Sequence, residues 1–96
     1  MIRHICMFTL ADDNKEAHIA QFLERGQALC QLPTIQNGQV VRKTQNAPNA
    51  NYDVALIFDF NTIDDLNAYQ VCPQHVAFGQ FVGAIRTDRA CIDYEF

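Results

Sequence analysis

Tyr52-Asp53-Val54-Ala55-Leu56-Ile57-Phe58-Asp59-Phe60 is the stretch whose reading decides the fold. Side chains alternate along an extended chain, so Tyr52, Val54, Leu56, Phe58 and Phe60 share one face while Asp53, Ala55, Ile57 and Asp59 share the other. The first face is wholly apolar and the second still carries Ala55 and Ile57. A strand of this kind belongs in the middle of a sheet, covered on both sides. The N-terminal segment 2–10 reads the same way. Ile2, His4, Cys6, Phe8 and Leu10 point one way, and Ile5 and Met7 lie among those pointing the other.

Outward from these two strands, the periodicity changes from two to between three and four. Ile19, Phe22, Leu23, Gly26, Leu29 and Cys30 form one apolar stripe, which predicts a helix over about 14–31 that ends before Pro33. Asp13 as N-cap with Glu16 three residues on reads as a capping-box-like start. Gly26 on the stripe costs the helix about 1 kcal/mol relative to Ala, so it either lets the sheet approach closely or leaves room for a ligand. Residues 36–43 are polar enough for an edge strand, and 45–51 form a turn-rich loop. Thr62-Ile63-Asp64-Asp65 caps a second helix, and a final strand is expected over 89–96.

This order is β-α-β-β-α-β, the α+β, ferredoxin-like split β-α-β arrangement with a four-stranded antiparallel sheet. Two helical layers cover only one sheet face. The chain, 96 residues that read as a single domain over 1–96, is 49% apolar with seven Phe and three Tyr. A domain of this size buries only about 60–65% of its unfolded surface, so the apolar excess predicts a homodimer, paired through the open sheet face into a dimeric α/β barrel.

The net charge of −4 and the scattered basic residues exclude a nucleic-acid partner. No run is long and apolar enough for a membrane, and the start Met1-Ile2-Arg3-His4-Ile5 lacks a signal-peptide core, so a cytoplasmic location is expected. Cys6, Cys30, Cys72 and Cys91 sit in apolar segments without C-x-x-C spacing. They read as small buried hydrophobes in a reducing compartment, with neither metal nor cofactor signalled.

The chemistry concentrates in Tyr69-Gln70-Val71-Cys72-Pro73-Gln74-His75-Val76-Ala77-Phe78-Gly79. Pro73 pushes Cys72 out of the α region and suits the first position of a new helix. In one unbroken helix Tyr69 and His75 would lie about 240° apart at ~100° per residue; a corner lets both face one target. An imidazole and a neutral phenol suit general acid/base work. A helix corner also buries such residues as ordinary packing, and the residues alone leave both readings open. His4 has the same two readings, core histidine or ligand group. His18 is expected on the exposed side of its helix. Arg86 could present its fork to an anionic ligand, and Arg89 could pair with Asp88, Asp93 or a second chain.

Four segments in this order resemble the stress-responsive dimeric A/B barrel (Dabb) family: Ile2-Arg3-His4; Tyr52-Asp53-Val54-Ala55-Leu56; Tyr69, Pro73, His75 and Phe78; and Asp88-Arg89 with Asp93-Tyr94. The resemblance spans essentially the whole chain. It implies a ferredoxin-like protomer, a dimeric barrel and a pocket for a small hydrophobic or mildly polar molecule beside His75. The family includes olivetolic acid cyclase, a cofactor-free polyketide cyclase. By resemblance to it, His75 would be the base, Tyr69 its hydrogen-bonding partner, and His4 a pocket histidine. Phe78, Gly79, Leu23, Leu56 and Arg86 are the ligand-lining residues expected with them. Val54, Gly26 and Arg86 stand where that enzyme has histidine, tyrosine and tryptophan, which implies a pocket of different shape. An antibiotic-biosynthesis-type monooxygenase is a further dimeric-barrel alternative, although the chain has no tryptophan.

Overall fold

A computed structural model describes residues 1–96 of the chain except Pro48 and Ala50. Its elements run β1 (Ile2–Leu10), α1 (Lys15–Leu29), β2 (Asn37–Arg42), β3 (Val54–Phe60), α2 (Ile63–Val71), α3 (Pro73–Ile85) and β4 (Arg86–Glu95). The four strands form one antiparallel sheet in the order β2-β3-β1-β4. The predicted α+β, ferredoxin-like architecture is therefore the one adopted. The predicted loop over 45–51 includes the two positions outside the described residues.

Alternation along β1 and β3 separates the two sheet faces. Ile2, Cys6, Phe8, Leu10, Val54, Leu56, Phe58 and Phe60 form the helix-side core with Ile19, Phe22 and Leu29 of α1, Leu66 and Tyr69 of α2, and Phe78, Val82 and Ile85 of α3. On the other face the register aligns Ile57, Ile5 and Ile92 in one row and Ala55, Met7 and Ala90 in the next. Among the described residues no helix lies on that side, and Ile92 keeps 58% of its surface exposed.

Gly26 settles its own question. A Cβ built there would lie 2.8 Å from Val40 Cγ1 and 3.2 Å from Leu56 Cδ2, so the glycine serves close packing of α1 on the sheet rather than a ligand space. The start of α1 departs from expectation. Asn14, not Asp13, is the N-cap. It takes a left-handed conformation at φ 55° and makes no side-chain cap bond, a conformation that asparagine tolerates better than most residues. Glu16 leaves the predicted capping box because Arg42 of β2 holds its carboxylate in a two-pronged pair at 3.0 and 3.1 Å. By contrast, Thr62 caps α2 as predicted, its hydroxyl accepting from the Asp65 N–H at 3.1 Å.

The largest departure concerns the cysteines. Cys6 and Cys91 are joined in a disulfide, whereas all four were expected as free, buried thiols. Cys30 and Cys72 are free. Eighty-five residues separate the bonded pair, but the β1/β4 register sets Cys6 directly opposite Cys91, with Cα atoms 4.3 Å apart. That is the separation of a closely spaced antiparallel pair, about 4.5 Å.

Candidate functional site

The site is made by the corner. Cys72 is extended (φ −71°, ψ 150°), α2 stops there, and Pro73 opens α3. The missing N–H of proline costs nothing at a helix start, where that group would have no intrahelical partner. The break brings the last turn of α2 against the first turn of α3, so that the Tyr69 and His75 ring centroids are 4.6 Å apart, edge to face. Tyr69 also packs on Phe60 (5.3 Å), Phe58 (5.7 Å) and His4 (6.2 Å).

A cavity of about 150 Å3 opens here between the sheet and α3. Its floor is His4, Cys6 and Phe8 of β1 with Leu56 of β3, and its helical wall is Tyr69, Gln70, His75, Phe78, Gly79 and Val82. Arg86 and Arg89 at the start of β4 complete the lining. Seven of the eight residues singled out from the sequence thus meet in one place: His75, Tyr69, His4, Phe78, Gly79, Leu56 and Arg86. Leu23 does not join them; it packs half-buried against the main core.

Two polar atoms on residues that line this cavity lack partners. Tyr69 is 1% exposed, and its hydroxyl has no hydrogen-bond partner among the described residues. Nδ1 of His75 is likewise buried and unpartnered. A buried polar group in that condition costs about 1–3 kcal/mol. Burial pushes the His75 imidazole below its ordinary value of 6.5; the Gln70 backbone draws it the other way, and His4 and Arg89 add to the lowering. Burial pushes the Tyr69 phenol far upward, so it stays neutral. Burial thus favours the neutral form of both the His75 imidazole and the Tyr69 hydroxyl.

His4 is different because it is anchored. Its Nδ1 bonds the Asp93 carboxylate directly across the β1/β4 pairing, and Nε2 stands 3.4 Å from Cys6 Sγ. An ionised carboxylate only accepts, so the Nδ1 position carries the proton. Asp93 was missed as a site residue. The sequence offers it as a possible partner of Arg89 and as part of the closing Asp88-Arg89, Asp93-Tyr94 segment, but its place beside His4 depends on the register of the first strand against the last. Arg89 pairs with neither predicted carboxylate through its guanidinium. Its backbone N–H donates to Asp88 Oδ1 at 2.8 Å, and Nη2 lies 3.8 Å from Cys6 Sγ. No carboxylate lines the cavity. His18 is half-buried outside it rather than exposed, with an unpartnered Nδ1. Among the described residues no three His, Cys, Asp or Glu side chains converge as a metal ion requires.

The profile of the Stress Responsive A/B Barrel Domain matches residues 2–96. The chain belongs to the Dabb family. This Dabb chain is also similar in structure to a dimeric ferredoxin-like protein of unknown function from Bacteroides fragilis. The two share 31% identity at a TM-score of 0.87, over 99% of this chain and 95% of that one. A dimeric ferredoxin-like protein of unknown function from Thermobifida fusca matches at 26% identity and TM-score 0.89, covering 99% and 90%. A Dabb protein from Mesorhizobium loti matches at 24% and 0.82, covering 99% and 95%. No curated protein matches the chain. Among the described residues no helix is long and apolar enough to cross a membrane.

Proposed function

We propose that this Dabb chain works as a homodimer whose sheets pack face to face, each protomer binding a small molecule in the cavity beside His75. The dimer is supported by the apolar row Ile57-Ile5-Ile92 on an uncovered face and by the dimeric state of the Bacteroides and Thermobifida relatives.

The observation that carries ligand binding is the pair of unpartnered polar atoms, Tyr69 Oη and His75 Nδ1, on side chains lining one cavity. A ligand oxygen would satisfy both. Phe8, Leu56, Phe78 and Val82 would hold an apolar body, and Arg86 and Arg89 favour an anionic head over a cationic one. About 150 Å3 admits a body the size of one aromatic ring. The test is calorimetric titration of small aromatic and β-keto carboxylates against wild type, Tyr69→Phe and His75→Ala. Binding by wild type that weakens in both variants supports the reading. Equal binding by all three, or no binding across the series, removes it.

A second reading is proton abstraction in the manner of a polyketide cyclase, favoured by the neutral His75 beside a phenol. Tyr69 Oη does not hydrogen-bond the His75 ring, so in this reading it serves the substrate's developing oxyanion instead. Turnover of β-polyketone thioesters by wild type and His75→Ala decides the matter. Equal rates take His75 out of any mechanism.

A further inference from the structure

Cys6 forms part of the cavity floor, and its sulfur lies beside a guanidinium and an imidazole nitrogen able to take up a proton. His4 Nε2 is 3.4 Å away and the Arg89 guanidinium 3.8 Å away. Asp93 holds the far nitrogen of the same imidazole. The sequence of contacts, carboxylate to imidazole to sulfur, is the arrangement that activates a cysteine nucleophile. Here it is built around a sulfur that is already bonded to Cys91.

The two sulfurs are not equivalent. Cys6 is 4% exposed, while Cys91 is exposed on β4, the strand at one edge of the sheet. Alternation puts Ala90, Ile92 and Tyr94 on the proposed dimer face and Cys91 on the opposite one, so pairing of two sheets would leave it open. Reagents can reach Cys91. Charge is best received at Cys6.

We infer that Cys6 and Cys91 form a reversible thiol–disulfide exchange site, in which Cys91 is the sulfur attacked and Cys6 the one released. A low-molecular-weight thiolate, such as that of glutathione, adds to Cys91 Sγ. The S–S bond breaks, and its electron pair leaves on Cys6 Sγ, which faces Arg89 and the His4 imidazolium. The proton on His4 Nε2 is the one given up by the entering thiol. A second thiol then attacks the glutathione sulfur of the mixed disulfide and frees Cys91. Two thiols become one small disulfide, and the protein gains two electrons and two protons. The reverse sequence closes the bond again. Leaving-group stability governs such exchange, and the stabilising groups flank only one of the two sulfurs. The inference stands whether or not the cavity binds a ligand.

The full chain tests it. Air-oxidised protein, alkylated in denaturant without reductant, should take up two alkyl groups, on Cys30 and Cys72. Native protein incubated with reduced glutathione before unfolding should take up four. Acid quenching during that incubation, followed by peptide mapping, should place the glutathione adduct on Cys91. In a Cys91→Ser background, iodoacetamide should modify Cys6 at a rate that falls about tenfold on adding Asp93→Asn or Arg89→Gln, the effect of roughly one unit in thiol pKa. Four free thiols in the oxidised chain, an adduct on Cys6, or resistance to glutathione until the protein unfolds would each overturn the inference. The mapping on wild-type protein decides by itself if the serine variant does not fold.

Discussion

On the helix side of the sheet Phe58 and Phe60 are completely buried, whereas on the other side Ile92 and Tyr94 keep 58% and 38% of their surface. Both groups are apolar, and one residue's step along a strand is enough to pass from one environment to the other. The difference lies in the cover. Three helical segments finish one face, and among the described residues nothing finishes the second. An apolar face without its own cover marks a surface made for another body, which under the proposed function is a second copy of the chain. The candidate site belongs to the finished face. It lies where the helical cover is interrupted, at the corner between α2 and α3.

The comparison can be broken most forcefully in the core. Phe22→Ala removes a fully buried ring in contact with Phe8 and Phe78 and should cost about 3–5 kcal/mol by urea unfolding. A loss near that of a surface substitution would mean the helix side is not the packed face. Next in size, Ile57→Glu puts a carboxylate in the middle of the open face. It should weaken self-association by about 3 kcal/mol, roughly 150-fold in Kd, and leave the circular dichroism of the protomer unchanged. Sedimentation should then show a species near 10.9 kDa, and an unchanged dimer would refute the face-to-face arrangement.

Gly26→Ala probes how closely the finished face is packed. Crowding against Val40 and Leu56 costs about 1–3 kcal/mol and the helical gain returns about 1, so a net loss of about 1–2 is expected. Tyr69→Phe should run the other way. Deleting an unpartnered buried hydroxyl should stabilise the fold by about 1 kcal/mol while weakening ligand binding. Opposite signs for stability and binding are what a functional residue shows, and destabilisation would show instead that the hydroxyl has an internal partner.

The smallest effect is titrational. Arg3 holds the Asp59 carboxyl below its ordinary 3.8; for Asp53 burial pushes up, but the Leu10 N–H and Lys15 prevail and lower it. Their stabilisation is whole above pH 3.8. As pH falls below that value, the unfolded chain takes up protons that the folded chain refuses, and stability drops until the folded carboxyls titrate. Asp59→Asn should flatten part of that acid limb in pH-dependent unfolding. An unaltered limb would show that the Arg3 pair contributes nothing.

Much of this molecule could be read locally. The period-two pattern of 2–10 and 52–60 marks two double-faced strands, and Thr62 and Pro73 mark a helix start and a corner through interactions that reach only a few residues. Those signals act within one turn or one strand, so no tertiary information is needed to decode them. Seven of the eight candidate residues reach the cavity because helix corner and strand parity together determine which way side chains point.

What escaped has a common cause. Glu16 left its predicted cap for Arg42, twenty-six positions away; Asp93 joined His4 across eighty-nine; Cys91 bonded Cys6 across eighty-five. The last two partners were set by how β1 and β4 align when the sheet closes, and the first by how α1 docks on β2. Composition and periodicity determine that such strands exist and which side chains share a face. Only the assembled sheet decides which residue stands opposite which, because antiparallel register is chosen by the packing of whole faces and leaves no mark in either strand alone.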